Sequence, residues 1–297
     1  MSVERDHQNN LTKLGGETAI QNLIHGMSSY IDVNKKRETP FTLDTNLDRR
    51  YEDETIVPDT EFPYRHAVGS MAHMSRTFRP DMAHAVSELS RHLGNAAPRH
   101  VKMCKDAIAY LNNTARLGIV YHGNQSVLSA NRLDTYSDAD WAGDSQTRRS
   151  RSGHVVMLNG GAIEWFSKAQ TIVTSSSCES ETVAAVEALK TVLGLRILFM
   201  ELKATQPGAS TIKVDNMALA LNSSSQAQSK RSKHFQLKTE FLRGYTRIGR
   251  VQLGKIHTSE NLSDLMTKIL SPQSYRKLRN MIMGITSTEA RKLCGLE

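Results

Sequence analysis

The order of element types after about residue 128 constrains this chain more than any other feature. Two apolar runs, Val155–Leu158 and Ala162–Phe166, flank Asn159-Gly160-Gly161. That is a hairpin signal, because Asn and Gly accept the positive φ that a tight turn demands. A short strand over Asp134–Tyr136 precedes the hairpin. A long helix follows it, with Val186, Leu189, Leu193, Ile197 and Met200 on one face and Ser176…Glu179 in capping-box form at its start. Pro207-Gly208 breaks the chain. Ile212 and Val214 then alternate in a strand ending at Asp215. A helix over about Lys233–Ile248, a strand over Val251–Ile256 and a short helix near Asn261 complete the series. Three strands, helix, strand, helix, strand, helix predict an α/β domain built on one mixed five-stranded sheet flanked by helices.

The first half reads mostly helical. A helix runs from Pro63 to about Phe78, where Pro80 interrupts it, since proline pushes the residue before it out of helical geometry. A second helix carries Ala83, Val86, Leu89 and Leu93. A third opens after Pro98 with Val101, Cys104, Ile108 and Leu111 at steps of three and four, and Gly118 is its expected stop. Residues 1–60 are polar apart from Ile20, Leu23 and Ile24, and little order is expected there. The 297 residues leave room for two such halves. No run of ~18 apolar residues exists, and the polar start does not read as a secretory signal. Three scattered cysteines, Cys104, Cys178 and Cys294, are too few for a disulfide framework or a zinc site and favour a reducing compartment. A net charge of +8 suits a polyanionic partner, nucleic acid above all.

Four acids stand at strand ends and helix starts. Asp138 follows the first strand, Glu181 lies in the first turns of the long helix, Asp215 ends the fourth strand, and Asp264 opens the last helix. Neighbouring strands and the helices packed on them would bring these groups together. Clustered carboxylates repel, and hard oxygen ligands select Mg²⁺ or Mn²⁺. Two such ions can stabilise both the attacking and leaving oxygens of a phosphodiester. Each acid also has a structural explanation. Asp140 faces the same way as Asp138, and either can be a turn residue. Glu179 is used by the capping box, which leaves Glu181 only the reading of a solvated helix acid; Asp215-Asn216 has the form of an N-cap, and Asp264 sits where any helix favours negative charge.

Several strings are recognisable. Tyr136-Ser137-Asp138-Ala139-Asp140-Trp141-Ala142-Gly143-Asp144, Trp165-Phe166-Ser167-Lys168-Ala169-Gln170, Ser175 to Glu181, Val214-Asp215-Asn216, Lys230-Arg231-Ser232-Lys233-His234-Phe235 and Ser263-Asp264-Leu265-Met266-Thr267-Lys268 resemble, in order, the ribonuclease H domain of copia-type LTR retrotransposon Pol polyproteins. Upstream, Tyr64 to Met71, Arg79-Pro80-Asp81-Met82-Ala83 and Leu89-Ser90-Arg91 resemble the segment joining reverse transcriptase to ribonuclease H in those polyproteins. No Tyr-x-Asp-Asp polymerase motif occurs; Tyr30-Ile31-Asp32-Val33 lacks the second Asp. The family usually has Thr or similar where Arg151 stands, and Glu-Ala-Glu-Tyr where Glu179-Ser180-Glu181-Thr182 stands.

The resemblance implies a ribonuclease H-like fold preceded by a mostly helical thumb or connection-like segment. It divides the chain into a poorly ordered polymerase remnant (1–62), a helical connection (63–127), the ribonuclease H domain (128–272) and a C-terminal helical tail (273–297). It implies two-metal hydrolysis of the RNA strand of RNA–DNA hybrids, with Mg²⁺ or Mn²⁺ held by Asp138, Glu181, Asp215 and Asp264, and with His257 in proton transfer or product release. Expected phosphate contacts are Arg148, Arg149, Arg151, Lys168, Lys230, Arg231 and Lys233, and Ser223–Ser229 beside them reads as a loop. Trp141 and Trp165 are candidates for base stacking or core packing. The partners implied are RNA–DNA hybrid and the upstream reverse transcriptase region, with no membrane, inside the cell in the cytoplasm, the nucleus or transposon particles. The rival from another class is a non-catalytic nucleic-acid-binding remnant. An integrase or transposase is disfavoured, because no Glu occupies the required last position and no His/Cys zinc module is present.

Overall fold

The computed structural model describes residues 1–123, 132–215 and 233–296, with side chains from Phe235 onward in the last segment. The chain divides into two units, Met1–Gly123 with Ile269–Glu297, and Asn124–Lys268. No helix among the described residues is long and apolar enough to cross a membrane.

In the first unit, β1 (Ser2–Asp6), β2 (Leu11–Gly15) and β3 (Ile119–His122) form an antiparallel sheet in the order β1-β2-β3. α1 (Glu17–Met27) buries Ile20, Leu23, Ile24 and Met27. The small apolar group seen in the sequence is thus the inner face of a helix, at steps of three and four. Regular structure in residues 2–27 corrects the expectation of disorder. β1 is almost wholly exposed and pairs through its backbone, so it shows no apolar pattern.

α2 (Tyr64–Thr77), a 3₁₀ turn at Pro80–Met82, α3 (Ala83–Leu89) and α4 (Pro98–Asn113) follow, with the break at Pro80 as expected. α4 ends at Asn113, ahead of Gly118. Arg79 is fully buried and forks onto both carboxylate oxygens of Asp81, at 2.9 and 2.7 Å, which repays the desolvation of both charges. The C-terminal helices Pro272–Ile282 and Thr288–Leu293 also belong to this unit. Val120 N donates to Met283 O at 2.8 Å and Lys13 Nζ to Leu293 O at 3.0 Å, so residues 273–296 are docked on the small sheet.

The second unit holds the expected mixed five-stranded sheet. β4 (Asp134–Asp140), β5 (Arg151–Leu158), β6 (Gly161–Ala169), β7 (Ser210–Val214) and β8 (Val251–Lys255) lie in the order β6-β5-β4-β7-β8. β4, β5 and β6 pair antiparallel, and β7 is parallel to both β4 and β8. The β5–β6 turn is the two-residue pair Asn159-Gly160 with φ of 48° and 86°, the primed geometry that matches strand twist. β4 is longer than its apolar pattern suggests and includes Asp138 itself.

α5 (Ser177–Glu201) packs on the sheet, and α6 (Lys233–Arg247) packs against α5. Ala185, Val186, Ala188, Leu189 and Val192 join Ile212, Val214, Leu242 and Val251 in one core cluster. Burial includes both Ala185-Val186 and Ala188-Leu189, wider than the single stripe inferred from the sequence. Ile197 and Met200, assigned to that stripe, are 55% and 59% exposed. Ser176 caps α5 by accepting from Glu179 N at 3.2 Å, but Glu179 reaches one residue past the cap, accepting from Ser175 N and Oγ.

Candidate functional site

The site begins with a glycine. Asp138 on β4 stands opposite Gly153 on β5. A Cβ at Gly153 would lie 2.6 Å from Met266 Cβ and 2.7 Å from Thr267 Cγ2. The missing side chain is what allows α7 (Asp264–Thr267) to lie directly on the sheet beside Asp138. The approach to α7 is pinned to β4 as well: Asn261 Nδ2 donates to Ser137 O at 3.2 Å, and Asn261 Oδ1 accepts from Ser263 Oγ at 2.6 Å. Parallel pairing then supplies a third acid. Tyr136 of β4 is in register with Lys213 of β7, so two residues on, Asp215 arrives beside Asp138.

One carboxylate oxygen from each of Asp138, Asp215 and Asp264 lies within 4.8 Å of the other two. Asp138 and Asp264 are buried, Asp215 half-buried. Glu181, in the second turn of α5, accepts from Ala139 N at 3.2 Å through Oε1. Its Oε2 is buried with no hydrogen-bond partner among the described residues. A buried acceptor without a donor is costly, and a cation removes the cost. It is therefore Asp138, and not Asp140, that the fold brings to Asp215 and Asp264. Asp140 packs instead against Gly143, where a Cβ would meet its Oδ2 at 1.8 Å.

Two side chains given no role at the sequence level complete the cluster. The Thr267 hydroxyl donates to Asp138 Oδ2. Lys268 Nζ pairs with Asp138 at 3.2 Å and with Asp264 at 3.1 Å. The Asp264–Lys268 spacing of four, acid first, is legible as a helical pair, but the contact to Asp138, 130 residues away, is not.

Burial raises the pKa of every carboxyl whose shift is resolved here. Glu181 is pushed up to about 9 by desolvation, with the Asp138 and Asp215 charges adding to it. Asp264 is raised to about 6 by burial and then by Asp138. Asp138 is raised by burial against the pull of Lys268 and the Thr267 hydrogen bond, and Asp140 is raised by burial too. Burial alone would lower Lys268, and the Asp138 and Asp264 charges more than reverse it. An all-oxygen donor set, held close and short of positive charge, fits hard divalent ions such as Mg²⁺ or Mn²⁺.

The other expected site residues divide. His257 is exposed, and its Nδ1 accepts from Ser259 N at 3.2 Å. The next residue, Thr258, donates to Asp215 Oδ2 at 3.2 Å. Arg148, Arg149 and Lys168 are exposed. Arg151 corrects the expected phosphate footprint: it is 6% exposed, donates to Ser167 Oγ at 3.2 Å, and is lowered to about 10 by burial. Arg151 opens β5 and is paired on both sides, with Asp140 of β4 and Ala169 of β6, which keeps it from solvent. Lys230, Arg231 and the Ser223–Ser229 stretch lie outside the described residues, and Lys233 opens α6 with its side chain undescribed.

The chain matches no protein-family profile. The retrovirus-related Pol polyprotein from transposon TNT 1-94 of Nicotiana tabacum is 32% identical over 225 residues, 76% of this chain and 16% of that one. Secreted RxLR effector protein 161 of Plasmopara viticola is 38% identical over 135 residues, 46% of this chain and 92% of the effector. Among solved structures, RNase H1 from Halobacterium salinarum is similar with a TM-score of 0.36 and 12% identity, over 46% of this chain and 94% of that one. The chain thus spans about a sixth of the tobacco polyprotein.

Proposed function

This chain belongs to the retrovirus-related Pol polyproteins of copia-type transposons, and from that premise we propose that its Asn124–Lys268 unit hydrolyses the RNA strand of RNA–DNA hybrids during retrotransposon reverse transcription. The observation that carries the reading is the approach of one carboxylate oxygen each of Asp138, Asp215 and Asp264 to within 4.8 Å, beside a Glu181 Oε2 that has no partner among the described residues. The first unit, in this reading, is the connection to an upstream reverse transcriptase region. No polymerase motif is present, so no DNA synthesis is expected from this chain.

Asp138, Glu181, Asp215 and Asp264 would hold two Mg²⁺ or Mn²⁺ ions. Bound there, such ions lower the pKa of the attacking water and stabilise charge on the leaving 3′ oxygen. The chain's own residues do the rest. Thr267 and the Ala139 amide fix the rotamers of Asp138 and Glu181. Lys268 neutralises part of the cluster from the α7 side, through Asp138 and Asp264. Burial keeps water from screening the carboxylates, so their field at a phosphate is strong. Exposed Arg148, Arg149 and Lys168, with Lys230, Arg231 and Lys233, would meet backbone phosphates, which position a duplex without reading its sequence. RNA is told from DNA by its 2′-hydroxyl, and His257 would assist proton transfer or product release.

The test is incubation with Mg²⁺ or Mn²⁺ and end-labelled RNA–DNA hybrid, duplex DNA or duplex RNA. The expected result is cleavage of the RNA strand of the hybrid alone, leaving 3′-hydroxyl and 5′-phosphate ends. Asp215→Asn should bind hybrid and leave it intact. Tight hybrid binding by the unsubstituted chain with no cleavage in either metal would refute the hydrolase and leave a nucleic-acid-binding remnant.

A further inference from the structure

Trp141 is one residue past the end of β4 and three past Asp138, so it lies no more than about 10 Å from it at ~3.3 Å per residue. It is 49% exposed, an unusual position for an indole that gains so much from burial. Its Nε1 donates to Thr174 O at 3.2 Å, which fixes the ring and spends its polar group. What remains outward is apolar surface. Ile172 and Val173, on the loop that Thr174 belongs to, are 42% and 61% exposed.

The two loops are bound together. Ser150 Oγ receives Ala142 N at 3.1 Å and bonds Thr174 Oγ1 at 2.9 Å. Asp144 folds the first loop by accepting from Gln146 N and Thr147 N through Oδ1. At its far end Arg148 has a positive φ of 53°. Few non-glycine residues hold that geometry unless their surroundings enforce it. Arg148 and Arg149 are exposed and form no ion pair among the described residues. The result is an exposed indole held between two bound loops, with exposed Ile172 and Val173 on one loop and exposed Arg148 and Arg149 on the other. Its two loops follow Asp138–Asp140 and lead into the helix carrying Glu181.

Charge complementarity selects a polyanion as the occupant, and proximity to the carboxylates selects the duplex they would cut. Bases inside a duplex are already stacked, so the accessible apolar surface is sugar, displayed in the wide, shallow minor groove of an A-like helix. We propose that Trp141 is a substrate-binding residue whose indole face packs against sugars in the minor groove of an RNA–DNA hybrid, while Arg148 and Arg149 meet the flanking phosphates. This rests on the hybrid-cleavage reading and adds the residue that sets the register of the duplex over Asp138.

Trp141 and Trp165 are the chain's two tryptophans. In a Trp165→Phe, Asp215→Asn chain with Mg²⁺, Trp141 is the sole indole and the hybrid stays uncut. Titration with hybrid should quench Trp141 emission and protect it from acrylamide, with the same midpoint as the anisotropy of a labelled hybrid. Trp141→Ala should weaken hybrid binding about tenfold, and Trp141→Phe should weaken it less, both compared at a temperature where circular dichroism shows the variants folded. Hybrid binding by anisotropy with Trp141 emission and acrylamide access unchanged would overturn the proposal and leave the hydrolase standing. So would equal affinity for Trp141→Ala and the parent. No hybrid binding or cleavage by the unsubstituted chain would remove both. The emission arm needs no substitution at 141, so it decides even if Trp141→Ala fails to fold.

Discussion

Replacing Glu181 by Gln isolates the electrostatic cost of the cluster. The side chain is buried, one oxygen accepts from Ala139 N, and the other has no partner among the described residues. Gln keeps the size and the first hydrogen bond and removes the charge. In the folded chain without metal, Glu181 titrates near 9 against an ordinary 4.5, chiefly through desolvation. Above pH 4.5 the unfolded chain releases a proton that the folded chain retains. The stability associated with that proton is therefore complete below about 4.5 and declines as pH rises toward 9. Each pH unit costs about 1.4 kcal/mol, so raising the pH from 5 to 7 removes about 3 kcal/mol. The assay is denaturant unfolding in EDTA at pH 5, 6 and 7, followed by tryptophan emission, since Trp141 and Trp165 both lie in the Asn124–Lys268 unit. Glu181→Gln should lose about 3 kcal/mol less over that range and be the more stable protein at pH 7. Mg²⁺ at about 100 times its Kd should add about 2.7 kcal/mol to the parent and far less to the variant. Parallel pH profiles for parent and variant would refute the argument that burial and neighbouring acids hold Glu181 protonated.

Two further outcomes follow from the contacts around Asp138. Gly153→Ala should push α7 off the sheet, costing about 1–3 kcal/mol in denaturant unfolding and weakening Mg²⁺ affinity measured by calorimetry; unchanged Mg²⁺ affinity would show that α7 tolerates the extra carbon. Lys268→Met should lower the melting temperature in EDTA, because Asp138 and Asp264 lose their counter-charge. Added Mg²⁺ should then raise its melting temperature more than it raises the parent's; equal shifts would mean that the ammonium and the metal act on separate oxygens.

The five strands of the larger sheet were legible because they alternate or run apolar between strong punctuation. Asn159-Gly160 and Pro207-Gly208 are readable without neighbours, since turn geometry is a local property of the backbone. The small sheet was not legible. β1 is exposed and polar, and β2 and β3 pair across more than 100 residues of intervening chain. The burial of Arg151 escaped the sequence for a related reason. Its basic neighbours Arg148 and Arg149 are exposed, and only the pairing of β5 between β4 and β6 turns residue 151 inward.

The acids themselves were readable from the sequence, because carboxylates at strand ends and helix starts are a pattern along one chain. Spacing alone leaves open which of Asp138 and Asp140 meets the others, and the family resemblance points to Asp138; the structure brings Asp138 to the others through register. Gly153 opposite Asp138 opens the space that α7 fills, and parallel pairing of β4 with β7 delivers Asp215. The shift of Glu181 and the double contact of Lys268 also belong to three dimensions. Desolvation and Coulomb forces depend on distance through space, and a sequence records only distance along the chain.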